Sequence, residues 1–346
     1  MTSGGKVLSA APEALAVLDR GQRTTRAAMQ RAVAELHPEL ARIGAYHLGW
    51  CNADGTESPG SGGKAVRPTL ALLSAEAASA DALVALPGAV AVELVHNFSI
   101  LHDDVMDGDR MRRHRPTAWT VFGTGPAVLA GDALLALAVK ILAKNPGPRY
   151  MVAADCLNSA VSELILGQAE DLSFERREQV SIAECLRMSG HKTAALMSCA
   201  LSIGAILAGA PAATVDALAG TGRNLGLAFQ AVDDLLGIWG SEELTGKPVF
   251  SDLRQKKKSL PVVAAINAGT PESRELAGIL RLENPDQESV AWAAVLVEAA
   301  GGRDRARREV DDRLGRALEA IDAIEMPNRT RAELTSLARY LAVRTT

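Results

Sequence analysis

An all-α fold is what this sequence predicts, and three features carry that reading. Of its 346 residues 48% are hydrophobic but only 3% aromatic, with alanine and leucine prominent, a palette suited to helix packed on helix rather than to sheets. Apolar residues recur at spacings of three and four over most of the chain. No Gly/Ser-rich or Pro-rich linker divides it, so the simplest organisation is a single domain over 1–346 with one large core. The first ten or so residues read as flexible.

Residues 11–50 form two amphipathic helical patterns, with Leu15, Leu18, Ala27, Val33, Leu36, Leu40 and Ile43 on apolar faces and Pro38 as punctuation. The segment 52–63 (NADGTESPGSGG) is the most loop-like of the chain and reads as a mobile loop. It leads into Gly62-Gly63-Lys64-Ala65-Val66-Arg67-Pro68 and a helical run over 69–80, with Pro68 expected at the first helical position. Lys64 and Arg67 therefore flank a helix N-terminus, where free N–H groups and the dipole favour an anion. A surface lysine in a glycine loop is the competing reading of that segment alone.

A long helical pattern covers 81–107, and further apolar helices cover 127–143 and 151–173. The last of these carries Gly167-Gln168-Ala-Glu-Asp171, whose Gln168 and Asp171 either face an interior or mark a boundary with solvent. Gly190-His191-Lys192-Thr193 interrupts two helical patterns, 181–189 and 194–209, a break that can present a lysine and a hydroxyl to a ligand or serve as an ordinary cap. The pattern Leu225, Phe229, Val232, Leu236 is helical again, and 271–346 holds charged amphipathic helices without a comparable motif.

Composition also excludes. A net charge of -4 gives no general reason to expect nucleic acid. Cys51, Cys156, Cys185 and Cys199 lack the paired spacing of zinc or redox motifs and read as reduced, inert thiols of a cytoplasmic protein. The start Met-Thr-Ser-Gly-Gly-Lys has no signal-peptide pattern, and Asp132 and Lys140 interrupt the longest apolar stretch, so no transmembrane segment is expected.

Chemistry concentrates in His96–Arg113. Asp103 and Asp107 are four apart, so on a helix their carboxylates lie one turn apart on one face, where they can share hard cations. Magnesium favours such sites, since it keeps water and phosphate oxygens among its ligands, and Arg110, Arg112 and Arg113 follow as partners for phosphate charge. A solvated helix cap is the ordinary explanation of an acidic cluster, but Val92, Leu94, Val95, Phe98, Ile100 and Leu101 run straight into this one and make its helix a buried one. A calcium loop fails because Val105 stands at its third place and His114 at its twelfth.

The same grammar recurs in Phe229-Gln230-Ala-Val-Asp233-Asp234-Leu-Leu-Gly237, followed by Thr245-Gly246-Lys247-Pro248 and the basic run to Lys258. Gln230 and Asp233 share a helix face. Aspartates for metal followed by cations for phosphate, twice over, is the strongest internal pointer to function; taken alone, a lysine run is a solvated loop.

These residues resemble the trans-isoprenyl diphosphate synthases, the polyprenyl synthetase family, from about residue 15 to the end, and most of all a bacterial short-chain geranylgeranyl diphosphate synthase. The resemblance rests on Gly62-Gly63-Lys64-x-x-Arg67-Pro68, His96, Asp103-Asp104-x-x-Asp107, Arg112-Arg113, Gly167-Gln168-x-x-Asp171, Lys192-Thr193, Phe229-Gln230-x-x-Asp233-Asp234, Thr245-Gly246-Lys247-Pro248 and Ser251-Asp252-Leu253 to Leu260-Pro261. It implies antiparallel helices around a deep central cavity, usually in a homodimer, with the two aspartate motifs facing each other across its mouth. It further implies that Asp103 and Asp107 hold two magnesium ions and Asp233 a third, with manganese as a substitute. Arg112, Lys192, Lys247 and Lys257 would contact the allylic diphosphate, Lys64, Arg67, His96 and Arg113 would bind isopentenyl diphosphate, and Gln168 would be a further substrate-binding residue. Thr193 and Gln230 resemble the groups that stabilise the carbocation, and released pyrophosphate would take the final proton.

Two positions depart from the family pattern. Ala65 stands where the glycine loop often has arginine, and Gly237 replaces the last aspartate of the second motif. Because that residue acts mainly through water in the family, the site is expected to survive with weaker metal affinity. Three functions compete on this resemblance: a prenyl chain elongase, a terpene cyclase on the same fold, and a non-catalytic partner subunit of another synthase. Retention of Lys64, Arg67 and Arg113 favours the elongase. The family's length rule points to Phe98 and Ser99, five and four residues before Asp103: small Ser99 leaves the upper cavity open and Phe98 closes it lower down, implying a C20 product, geranylgeranyl diphosphate, with C15 farnesyl diphosphate next.

Overall fold

Helical spacing becomes helix nearly everywhere. The computed structural model describes residues 4–58, 63–242 and 248–343, with the backbone alone for 4–11. The chain gathers into two compact units, Met1–Val161 with Leu196–Gly222 and Ala320–Leu337, and Ser162–Ala195 with Arg223–Glu319 and Ala338–Thr346.

In the first unit, α1 spans Gly4–Val33, α2 Pro38–His47, α3 Val66–Ala77 and α4 Leu86–Met106, the last entered through a 3-10 turn at Ala82–Ala85. Short α5 (Ala118–Phe122) and long α6 (Thr124–Ala143) follow, then the start of α7 (Pro148–Glu175). Helix α4 is the axis of this unit: Ala89, Ala91, Val92, Leu94, Val95 and Leu101 are all but inaccessible, because it packs against α3 on one side and α6 on the other. Residues 195–208 form α9, which crosses α3 in backbone contact: a Cβ at Gly204 would lie 2.0 Å from the Ala71 carbonyl oxygen, and Ser74 Oγ accepts from Ala205 N at 3.2 Å. The half-buried pair Arg20–Glu333 is bidentate, with Arg329 Nε donating to the same carboxylate at 2.9 Å.

The second unit contains the end of α7, α8 (Ile182–Ser189), a single π turn at Gly190–Ala194, the C-terminal part of α10 (Ala212–Trp239) and a set of shorter helices. Ser181 and Glu184 form a reciprocal capping box that starts α8, which is why the chain turns there. Phe174, Cys185, Val232, Leu235, Leu260 and Val263 make one core, and Ile238, Leu253, Val262, Val290 and Leu296 another.

Several expectations change. Residues 4–10 are helical, since α1 begins at Gly4 and carries Pro12 inside it. Residues 51–58 form a turn closed by a Cys51–Glu57 bridge and by Asp54, which accepts from Thr56 N at 2.9 Å, while 59–62 lie outside the described residues. Helix α3 begins two residues earlier than expected, so Pro68 is its third residue; its missing N–H still falls among the groups that have no intrahelical acceptor. A two-residue hairpin, Met111–Arg112 against Arg115–Pro116, interrupts the otherwise helical architecture. Its turn residues Arg113 and His114 adopt φ of 50° and 61°, the left-handed pair that matches strand twist.

Among the described residues three helical stretches, Ala82–Met106, Thr124–Ala143 and Ile182–Ala208, are long and apolar enough by length and composition to cross a membrane, so Asp132 and Lys140 interrupt the pattern less than expected. All four cysteines are free thiols. Burial pushes the Cys185 thiol well above its ordinary value. Cys156 departs from the expectation, because its hydrogen bond with Cys199 and its contact with Ser202 Oγ at 3.6 Å draw it down to about 7.

Candidate active site

In the first unit the helical backbone persists through Asp107, whose N–H donates to Asp103 O at 2.8 Å, and Gly108 then ends it at a φ of 66°. Asp103 and Asp107 thus lie one turn apart on one face, as their spacing predicts. Asp104 points the other way and is buried. Its Oδ1 accepts from Arg112 Nε at 2.6 Å, whereas its buried Oδ2 has no hydrogen-bond partner among the described residues. Burial pushes this carboxyl up to about 6 against the pull of Arg112.

Arg112 and Arg113 sit on the hairpin, which is fastened from three sides. Tyr46 donates its hydroxyl to Pro116 O at 2.8 Å, Arg115 Nη2 donates to Cys51 O at 2.8 Å while stacking 4.5 Å over the Tyr46 ring, and Thr117 and Trp119 both donate to Asp109 O at 2.8 Å. Arg112 is held between Asp104 and Asp109, 3.6 Å from the latter, and Arg113 packs against the glycine loop: a Cβ at Gly63 would lie 2.7 Å from its Nη2.

Arg67, in the first turn of α3, has Nη1 3.1 Å from His96 Nε2. A guanidinium only donates, so this nitrogen of His96 accepts and the ring is neutral. Burial, with Arg67 and Arg113 beside it, holds His96 well below its ordinary value. Nearby His47 is pushed down to about 3 by burial and by Arg113 and Arg112. Glu93, which accepts from Asn97 at 3.2 Å, is raised by burial although Arg67 and Arg113 oppose this. Two imidazoles thus lie among guanidiniums, an arrangement that can receive an anion. Sequence reasoning found His96 but missed His47 and Glu93, whose only signal was burial. Lys64 is exposed beside Ala65, whose φ of 51° starts α3.

Phe98 is 6% exposed and meets the His102 ring edge-on at 4.8 Å. His102 is itself held by Val128 O on α6, 3.0 Å from its Nε2. Ser99 turns its hydroxyl back to His96 O at 2.8 Å.

In the second unit the break expected at 190–193 is the π turn, and Gly167 on α7 packs against its backbone: a Cβ there would lie 2.3 Å from Lys192 N. Lys192 Nζ donates to Asp171 at 2.8 Å. Thr193 Oγ1 donates to Gln230 Oε1 at 2.6 Å, Gln230 Nε2 donates to Asp234 Oδ1 at 2.8 Å, and Asp234 Oδ2 accepts from Leu260 N at 2.8 Å. This chain fixes the orientation of the Gln230 amide, while burial pushes Asp234 up to about 7. Gln168 is buried on α7, and Asp233, one residue before Asp234, is partly exposed. Lys257 N donates to Asp252 O at 2.8 Å in the turn that ends the short helix Ser251–Arg254. Lys247, with Thr245 and Gly246, lies outside the described residues.

Asp252 carries no sequence signal of a role beyond its place in Ser251-Asp252-Leu253. Its carboxylate covers Gly237, where a Cβ would lie 2.2 Å from Asp252 Oδ2, so it occupies the space of the side chain missing from the second motif. Among the described residues no group of three or more His, Cys, Asp or Glu forms a ready metal cage. The paired carboxylates of Asp103 and Asp107, one turn apart on one face, fit magnesium bound together with a diphosphate better than a cation held by protein alone.

Residues 50–297 match the profile of a family described as Polyprenyl synthetase. A (2E,6E)-farnesyl diphosphate synthase of Mycobacterium tuberculosis is 45% identical over 334 residues, covering 95% of this chain and 93% of its own. A geranylgeranyl diphosphate synthase of the same organism is 44% identical over 316 residues, covering 90% of each. The crystal structure of a polyprenyl synthetase from Streptomyces coelicolor A3(2) superposes with a TM-score of 0.91 at 50% identity, covering 95% of this chain and 99% of that one.

Proposed function

Since the chain belongs to the polyprenyl synthetase family and is a short-chain trans-prenyltransferase, we propose that it condenses isopentenyl diphosphate with an allylic diphosphate and stops at geranylgeranyl diphosphate. The observation that carries this reading lies on one helix. His96, Asp103 and Asp107 on α4 fall seven and four residues apart, on one face and about 10 Å and 6 Å along the axis, which supports reading that face as an anion site and a metal site about two turns apart. A chain elongase needs two diphosphate subsites at that kind of separation. A terpene cyclase needs one, and the Arg67–His96–Arg113 cluster would then have no ligand.

Asp103, Asp107 and Asp233 would hold magnesium ions, three in our reading, with manganese as a substitute. Magnesium there would neutralise charge on the departing pyrophosphate. Arg112, Lys192, Lys247 and Lys257 would add fixed positive charge to the same group, and Gln168 would face it. Lys64, Arg67, His96 and Arg113 would orient isopentenyl diphosphate. Thr193 and Gln230 would present oxygen to the allylic cation, with no nucleophile strong enough to trap it. Pyrophosphate, once released, would take the proton that the condensation gives up.

The whole of 1–346 would act as one polyprenyl synthetase-like domain, working as a homodimer in the cytoplasm. Support for the dimer comes from exposed apolar side chains: Leu129 on α6 and Met151 and Val152 on α7 are 58%, 75% and 54% exposed. A second copy of the chain is the partner that would cover them. Free thiols fit a reducing compartment.

The test is incubation with magnesium and dimethylallyl, geranyl or farnesyl diphosphate, with and without isopentenyl diphosphate, and identification of products by mass spectrometry. Elongation only in the presence of isopentenyl diphosphate is expected. A hydrocarbon formed without it would overturn the elongase reading in favour of a cyclase, and no product under any condition would favour a partner subunit.

A further inference from the structure

The π turn Gly190–Ala194 presents Lys192 and Thr193, and an extra residue in a helical turn persists only where its surroundings hold it. Gly167 supplies space for it, but space alone does not set its register. What grips the turn is Glu170, one helical turn further along α7. Glu170 Oε1 accepts from Arg187 Nε at 3.0 Å and Oε2 lies 3.0 Å from His191 Nδ1. Because a carboxylate only accepts, His191 Nδ1 carries the hydrogen.

The carboxylate therefore ties three elements: α7, the last turn of α8 through Arg187, and the π turn through His191. Glu170 and His191 side chains are each 17% exposed, so the contact is largely removed from solvent, unlike an ordinary surface ion pair. Adjacent Asp171 accepts from Lys192 at 2.8 Å, so two successive acids of α7 hold two successive residues of the turn.

We infer that Glu170 is a positioning residue for the prenyl transfer, acting through His191 to fix the register of the π turn so that Lys192 and Thr193 project on the side of Asp171 and Gln230. This rests on the reading of Lys192 and Thr193 as reaction residues. Glu170 itself touches neither substrate nor metal in this account. Slack in the turn would move the Lys192 ammonium and the Thr193 oxygen by a fraction of an ångström, which lowers turnover while leaving the isopentenyl diphosphate subsite alone.

The experiment compares Glu170→Ala, His191→Ala, His191→Asn, the double variant Glu170→Ala/His191→Ala and, as a control, Lys192→Ala. For each, kcat, KM for both substrates and the thermal unfolding midpoint are measured with magnesium present. Glu170→Ala and His191→Ala should each lower kcat about tenfold with KM for isopentenyl diphosphate within about twofold. His191→Asn, whose side-chain N–H takes the place of Nδ1–H, should recover most of the loss. The double variant should be no worse than either single one, because both break the same link.

Multiplying effects in the double variant, an unchanged kcat, or a loss that His191→Asn does not rescue would each overturn the inference. A fall in unfolding midpoint with kcat preserved would show a structural tie only and overturn it too. Should Glu170→Ala not fold, Glu170→Gln keeps the volume and one acceptor and gives the same comparison at about threefold amplitude. If Lys192→Ala keeps full turnover, the reading of Lys192 fails and the clamp with it. If Lys192→Ala is crippled while Glu170→Ala is not, the clamp alone fails.

Discussion

Asp252 places its carboxylate over Gly237, close enough that a Cβ at 237 would lie 2.2 Å from Oδ2 and 2.3 Å from Cγ. Gly237 and Asp252 therefore share one space: a side chain at 237 requires the Asp252 carboxylate to move. Ser251 Oγ, donating to Gly237 O at 3.2 Å, holds the pair together from the adjacent residue.

It follows that Gly237→Asp should not repair the second motif, because its side chain expels Asp252 as it arrives. The magnesium concentration for half-maximal rate should stay the same or rise in Gly237→Asp, and should rise about tenfold in Asp252→Asn, a change of about 1.4 kcal/mol. Magnesium titration of steady-state rates checks both. A lower requirement in Gly237→Asp would show that the missing aspartate, not its neighbour, was limiting.

Removing either first-motif acid should be far more severe. On the proposed reading Asp103→Ala or Asp107→Ala would take a ligand from the ions acting on the leaving group, and turnover should fall by about 10²–10⁴, or ~3–5 kcal/mol. Lys64→Ala should instead raise KM for isopentenyl diphosphate. Selective weakening of the allylic substrate in Lys64→Ala would reverse the assignment of the two subsites.

Stability in acid should report His47. Its folded-state value is lowered to about 3 from 6.5, so the fold favours the neutral ring. The resulting stabilisation is complete above about pH 6.5 and is lost as pH falls towards 3, by at most ~5 kcal/mol. Asp104 and Asp234 act in the opposite sense: raised to about 6 and about 7, they favour the protonated fold and cost stability as pH rises through those values. Denaturant midpoints measured without magnesium between pH 4 and 8 should show an acid limb that flattens in His47→Gln. An acid limb unchanged in that variant would remove His47 as its cause.

How much of this was legible in the sequence depends on which kind of contact was involved. Helix periodicity located α4, and four-residue spacing placed Asp103 and Asp107 on one face, because both are consequences of local geometry. The break at Gly190 was legible, but its π form was not, since that depends on Gly167 approaching from another helix. Asp252 covering Gly237 and Glu170 gripping His191 are tertiary relationships between residues 15 and 21 positions apart, beyond the reach of any spacing rule. The hairpin at 111–116 escaped a helix-based reading because each strand is two residues long.

Product length should respond to Phe98. Its ring is pinned edge-on by His102, which is bonded in turn to α6, so a floor built on it would be stiff. Phe98→Ala should lengthen the product and Ser99→Phe should shorten it to C15, as read by chromatography of the dephosphorylated alcohols. An unchanged distribution in Phe98→Ala would mean that other residues build the floor.

The most direct test of the account is the product that the unaltered protein makes from dimethylallyl diphosphate, excess isopentenyl diphosphate and magnesium, identified by mass spectrometry over the course of the reaction. Geranylgeranyl diphosphate should accumulate as the end product, with farnesyl diphosphate appearing and then being consumed. Farnesyl diphosphate persisting as the final product would contradict the placing of the floor at Phe98, and absence of any elongation would contradict the two-subsite reading of α4.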